Sequence, residues 1–99
     1  MSMSSFGLTP NTRTAAQEAN RLWWAHSLAR YTTQRRVQLG LTVARAAELA
    51  GLQISEWAGL EEGWIPDDLA TLRSIAEVLE VEWVGFHGLA FMAGCHRWC

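Results

Sequence analysis

The sequence predicts an all-α domain of five helices with an extended first helix. Apolar residues recur at helical spacing, and most of the helical stretches lie between a capping residue and a glycine. No stretch alternates with the period of a strand, and no Asn-Gly hairpin signal occurs. Residues 1–13 are rich in Ser and Thr and predict a flexible arm, and residues 14–99 predict one domain.

The first helix is predicted from a capping box, in which Thr14 is followed by Gln17. Its helical pattern runs to about Gln38, and Gly40 closes it. The sequence leaves open whether this helix is continuous or breaks near Ser27.

Two short helices follow, separated by a glycine turn. Thr42 is a suitable N-cap for the second helix, Val43–Ala50, which Gly51 ends. The third begins at residue 53 or 54 and reaches residue 60 or 61, before Gly63.

The remaining two helices complete the core. Residues 66–68 combine a proline with two aspartates, which is typical of a helix start, because negative side chains are stabilised at the positive end of the helix dipole. A last helix is predicted from about residue 82 to about residue 94. The apolar positions of the fourth helix follow at helical spacing: Leu69, Leu72, Ile75, Ala76 and Leu79.

The composition limits the partners that the surface can attract. The formal net charge is -2, and all eight cations are Arg. The chain therefore lacks the strongly basic surface typical of nucleic-acid binding. Its six Trp exceed what a core of this size readily hides, so either some lie at a subunit interface or they fill the core and its rim.

The location of the protein is predicted to be cytoplasmic. Residues 1–13 contain no apolar segment of the kind that a signal peptide needs. The longest apolar stretch, residues 83–94, is too short to span a bilayer.

The end of the first helix and the residues after it resemble a known family. The stretch Arg35-Arg36-Val37-Gln38-Leu39-Gly40-Leu41-Thr42 resembles the end of the first helix in lambdoid phage repressors of the Cro/XRE type. The resemblance covers about residues 28–86. It implies a lambda-repressor-like helix-turn-helix domain that regulates transcription by binding double-stranded DNA as a homodimer. Further residues at the family's spacings are Gly51, Leu60-Glu61, Gly63, Pro66, Leu72, Ile75, Ala76, Leu79 and Val81.

The resemblance also assigns site residues. It implies an ion pair between Arg36 and Glu61. The residues that would read base edges are Gln53, Ile54, Ser55 and Gly59. The candidates for phosphate contacts are Arg13, Arg35, Thr42 and Arg45.

The sequence departs from the family at phosphate-contact positions, where Val43, Glu62 and Trp64 include no cation. Glu56 adds another negative charge on the predicted reading helix. Because phosphate neutralisation supplies most non-specific affinity, we weigh a second interpretation, an interaction module for a protein partner with weak or no DNA binding.

Packing residues differ from the family as well. Ala46 and Trp57 stand where a Leu and an aliphatic residue are usual, so we expect Trp57 to fill the volume that Ala46 leaves. Aromatic residues outside the family resemblance or at its end are expected at a homodimer interface: Trp23, Trp24, Trp83, Phe86 and Phe91.

Neither catalysis nor a cofactor is predicted. The adjacent carboxylate pairs in the sequence do not face one another on a helix, and no nucleophile elbow or Gly-rich phosphate loop occurs. Cys95, His96 and Cys99 could share a metal. The sequence contains no paired CxxC motifs, which are the strong signal for zinc, so we expect a frayed terminus with free thiols and no metal site.

Overall fold

A computed structural model describes residues 14–94, which form five α-helices and no strand. Both the predicted arm, residues 1–13, and the Cys-containing segment, residues 95–99, lie outside the described residues. The all-α prediction is confirmed, with five helices in the predicted order. The helices are α1 (Ala15–Gln38), α2 (Val43–Ala50), α3 (Ile54–Leu60), α4 (Leu69–Leu79) and α5 (Trp83–Met92).

Helix α1 is continuous over 24 residues, which settles the question of a break near Ser27. Its capping box is complete: Gln17 N–H donates to Thr14 Oγ1 at 3.0 Å, and Thr14 N–H donates to Gln17 Oε1 at 2.9 Å. The buried residues begin only at Ala25. The first ten residues of α1 therefore contribute no fully buried side chain.

Helices α2 and α4 begin and end with local signals. Thr42 Oγ1 accepts from Arg45 N–H at 3.0 Å, and Asp68 Oδ2 accepts from Thr71 N–H at 2.9 Å. Gly51 ends α2 with φ 75°, a left-handed conformation that glycine adopts without steric cost. Glu80 ends α4 with φ 54°, where a non-glycine residue is under strain of roughly 1–2 kcal/mol.

The core is built from buried side chains of all five helices. Helix α2 packs against α3 and α4, and α1 packs chiefly against α5. Ala46 and Trp57 are each 0 % exposed and belong to the same buried cluster, and the exchange of volume between them stays a prediction. No described helix is long and apolar enough to cross a membrane. The largest fully buried side chains are Trp57, Leu72, Ile75, Leu79 and Pro66.

Phe86 corrects the expected interface. It is 3 % exposed and belongs to the core cluster, so it is not available to a second chain. The reason is the periodicity of α5, which turns Phe86 and Ala90 to the same buried side.

Candidate nucleic-acid interface

The candidate site is built on the turn between α2 and α3. Ala46 and Ala47 are buried and let the two helices approach closely. After Gly51, Leu52 N–H returns to Ala47 O at 2.8 Å and closes the turn. The first turn of α3 consequently lies at the surface, anchored on a rigid helix pair.

Three of the four expected base-reading residues lie together on that first turn. Gln53 is the N-cap of α3, and Ile54 and Ser55 follow; all three are exposed, Ile54 by 58 %. Gln53 N–H donates to Glu56 Oε1 at 2.8 Å, so Glu56 holds its carboxylate at the start of the helix.

Gly59, the fourth, does not belong with them. Trp64 N–H donates to Gly59 O at 2.8 Å, and a Cβ placed on Gly59 would lie 3.4 Å from Trp64 Cβ. Trp64 thus covers the outer side of Gly59. The missing side chain serves the close approach of Trp64 and offers nothing to a base.

Arg35 is likewise corrected. Its Nε donates to Leu79 O at 2.8 Å, its Nη2 to Glu80 O at 3.4 Å and its Nη1 to Gln38 Oε1 at 3.3 Å. The guanidinium therefore caps the C-terminus of α4, where a cation also suits the helix dipole. It is engaged in holding the fold, which leaves it less free to reach a phosphate.

The other phosphate candidates lie at the start of α2 or outside the described residues. Thr42 caps α2, and Arg45 lies in its first turn. Arg45 Nη1 is 2.7 Å from Glu48 Oε1, in a pair whose side chains are 56 % and 72 % exposed. Such a pair is weak and readily exchanged. Arg13 lies outside the described residues.

The expected Arg36–Glu61 ion pair is present. Arg36 Nε lies 2.5 Å from Glu61 Oε2, Arg36 Nη2 donates to Glu61 Oε1 at 3.1 Å, and both side chains are at most 14 % exposed. Arg36 Nη1 also donates to Leu41 O at 2.8 Å. The pair joins the end of α1 to the residue that follows α3.

The sequence missed the third member of this network. Trp57 Nε1 donates to Glu61 Oε2 at 2.7 Å. Burial by itself raises the pKa of Glu61, but the hydrogen bonds from Arg36 and Trp57 outweigh it, so the pKa lies below its ordinary value. A buried indole N–H needs an acceptor, and residues four apart on a helix are neighbours. Glu61, four residues after Trp57, could therefore have been predicted as that acceptor.

The charge on this face is acidic. Glu56 and Glu62 are exposed, and within residues 14–94 neither takes part in an ion pair shorter than 4.0 Å. The nearest candidate cation in sequence, Arg45, already faces Glu48. The face therefore repels phosphate more than it attracts it.

The remaining aromatic candidates lie on α1 and α5. Trp23 is 60 % exposed and meets Trp24 edge to face, with ring centroids 4.9 Å apart. Trp83 is half-buried, between Arg73 at 5.1 Å and the His87 ring at 5.2 Å. Phe91 is 38 % exposed.

No cluster of three or more His, Cys, Asp or Glu side chains that could hold a metal occurs among residues 14–94. Comparisons with protein-family models, curated proteins and solved structures give no match to this chain.

Proposed function

We propose that this chain is a helix-turn-helix DNA-binding protein of the Cro/XRE repressor type, acting on transcription as a homodimer. One observation carries the proposal: Gln53, Ile54 and Ser55 form an exposed first turn of α3, fixed on α2 by the turn at Gly51. Proteins of this kind insert that turn into the major groove, where it reads base edges.

The residue types suit that role. A Gln side chain makes a bidentate pair with adenine, Ile contacts a thymine methyl group and Ser accepts or donates a single hydrogen bond. Because Gln53 alone offers a bidentate contact, it should contribute most of the discrimination between adenine and the other bases, roughly 1–3 kcal/mol for each contact.

The affinity should be low and its salt dependence shallow. With Arg35 occupied by α4, Arg13 and Arg45 remain in each chain, or about four cations in a dimer, for a slope near −4 against the logarithm of salt concentration at most. Glu56 and Glu62 oppose them.

Replacing Glu56 and Glu62 by Gln should tighten binding to any duplex, because the change removes two negative charges per chain from the face that approaches phosphate. Fluorescence anisotropy with random-sequence duplex DNA at rising salt measures it. Glu77→Gln, an exposed carboxylate on α4, is the matched control. Equal affinity of the double variant and the control would mean that these carboxylates do not face DNA.

Sequence discrimination has a separate test. Gln53→Ala should lower the preference among duplexes in a selection from random sequences, while leaving non-specific affinity nearly unchanged. A variant that retains the parent's preference would exclude Gln53 as a base-reading residue.

A second candidate function is an interaction module for a protein partner. The observation that favours it is the net negative charge around α3, together with the loss of Arg35 and Gly59 from the expected contact set. If no duplex DNA is retained at low salt, this candidate replaces the first.

A further inference from the structure

Exposed apolar side chains surround the outer side of α3. Leu49, in the last turn of α2, is 49 % exposed; Ile54, at the start of α3, is 58 % exposed; and Trp64, after α3, is 41 % exposed. Single exposed apolar residues are ordinary, but these three flank one short helix.

Trp64 is held in place against α3. Its N–H donates to Gly59 O at 2.8 Å, and its Cβ lies at contact distance from the position of a Gly59 Cβ. Ile54, at the start of α3, and the indole, beside Gly59, therefore lie at the two ends of the exposed side of this helix. Because one side of the indole already packs against the α3 backbone at Gly59, less conformational freedom remains to be lost when a partner covers it.

Carboxylates lie within two residues of each of these apolar side chains in the sequence. Glu56 lies between Ile54 and the buried Trp57 in sequence, Glu62 lies two residues before Trp64, and Glu48 precedes Leu49. Glu56 and Glu62 are exposed and have no cationic partner within 4.0 Å among residues 14–94. The surface is thus apolar at Ile54 and Trp64 and negative at its border.

We propose that the α3 surface formed by Ile54, Trp64, Glu56 and Glu62 docks a cationic amphipathic helix of a partner protein, and that this partner and DNA exclude one another. Apolar side chains of such a helix would cover Ile54 and Trp64, and its Arg or Lys side chains would meet the two carboxylates. The regulatory meaning rests on the proposed function; the docking itself does not.

The two ligands make opposite demands on the same carboxylates. Glu56 and Glu62 repel a phosphate backbone and attract an Arg-bearing helix. One double variant, Glu56→Gln with Glu62→Gln, should therefore change the two affinities in opposite directions.

The probe is a synthetic amphipathic helical peptide with only Arg on its polar face and only Leu on its apolar face, labelled for fluorescence anisotropy. A peptide with Glu in place of every Arg is the matched control probe. The parent should bind the Arg peptide saturably and the Glu peptide not at all. The double variant should bind the Arg peptide about three- to tenfold more weakly, while Glu77→Gln should match the parent.

The apolar contribution is tested by Ile54→Ser, which alters an exposed side chain and so leaves the core intact. This substitution should weaken the binding of the Arg peptide severalfold. Circular dichroism and thermal unfolding of each variant establish that the fold is retained.

Two results would overturn the proposal: no saturable binding of the Arg peptide by the parent, or equal affinity in the parent and the double variant. Competition with labelled duplex DNA tests the regulatory part. Because the Arg peptide also binds phosphate directly, the double variant is the control: displacement of DNA from the parent at a lower peptide concentration than from the double variant supports exclusion, and equal displacement or simultaneous binding overturns it. If the peptide binds and DNA does not, the proposed function fails while the docking surface stands.

Discussion

Glu61 serves two donors with one carboxylate. It accepts from the Arg36 guanidinium and from the Trp57 indole, and its side chain is 13 % exposed. Removing either charge of a nearly buried pair leaves the other without compensation, which costs more than losing an exposed pair.

A double-mutant cycle with Arg36→Met and Glu61→Gln should give a coupling energy of about 2 kcal/mol in urea unfolding. Arg45→Met with Glu48→Gln is the control cycle in the same chain; because that pair is more than half exposed, its coupling should be below about 0.5 kcal/mol. Equal values for the two cycles would contradict the structural role of Glu61.

The same coupling should depend on pH. The pKa of Glu61 is depressed in the folded state, so its stabilising contribution is complete above the unfolded value of about 4.3 and is lost as the pH falls through the folded pKa. Repeating the Arg36–Glu61 cycle from pH 7 to pH 3 should give a constant coupling above about pH 5 and a fall at lower pH. A coupling that declined between pH 7 and pH 5 would contradict this.

Ala46 and Trp57 should show compensation of volume. Trp57→Leu leaves a cavity and should destabilise by about 3 kcal/mol, and Ala46→Leu overpacks a site that is 0 % exposed, at roughly 1–3 kcal/mol. Thermal unfolding of the double variant should show a smaller loss than the sum, because the added Leu fills space that the indole vacates. Strict additivity would mean that the two side chains do not share that volume.

At the level of the helices, glycines act in two different ways. Gly51 has φ 75° and ends α2, whereas Gly88 lies inside α5; an added Cβ would meet nothing within 4 Å at either position. Gly51→Ala should therefore destabilise by about 1–2 kcal/mol through backbone strain alone, and Gly88→Ala should stabilise by up to about 1 kcal/mol through helix propensity. Thermal unfolding of both variants decides; a shift of the same sign in each would contradict this.

Helix ends were predictable because their signals are local. Thr14, Thr42 and Gly51 each satisfy or end a helix through contacts within a few residues, and the observed bounds agree with the sequence. The continuity of α1 through Ser27 was not predictable, since Leu28 and Ala29 are buried in tertiary packing. The left-handed conformation that ends α4 was not predictable either, because Glu80 and not a glycine adopts it.

The candidate site could be predicted only where residues close in sequence determine it. The exposed first turn of α3 follows from the position of each residue around the helix. The capping of α4 by Arg35 was not predictable, because its acceptors are carbonyl oxygens of Leu79 and Glu80, far along the chain. Gly59 was misassigned because the residue it accommodates, Trp64, lies beyond the end of its helix.

For the molecule as a whole, apolar exposure on α1 and α5 is the main argument for a homodimer. Leu22 is 51 % exposed, Trp23 60 %, Val84 74 % and Met92 45 %. Helix α5 carries no charged residue. Because α1 packs on α5, these side chains lie on neighbouring elements, and a second copy of the chain would remove them from water.

Sedimentation equilibrium at micromolar concentration should show a dimer. Trp23→Ser should weaken the association about tenfold or more, because a Trp side chain at an interface is often a major contributor. Val37→Ser, which removes a side chain of equal fractional exposure at the opposite end of α1, is the control and should leave the dimer intact. A monomer at all concentrations, or equal weakening by both variants, would contradict this arrangement.

The hydrogen bonds of Arg35 span 44 and 45 residues of sequence, and they close a loop that contains α2, α3 and α4. Closing so long a loop has an entropic cost that grows only slowly with length, but it precedes any gain from the contacts at its base. The α2–α3 unit is local and needs no such closure. We therefore expect Arg35→Ala to refold at the rate of the parent and to unfold faster in stopped-flow experiments. That result would mean that the hydrogen bonds of Arg35 form after the rate-limiting step of folding.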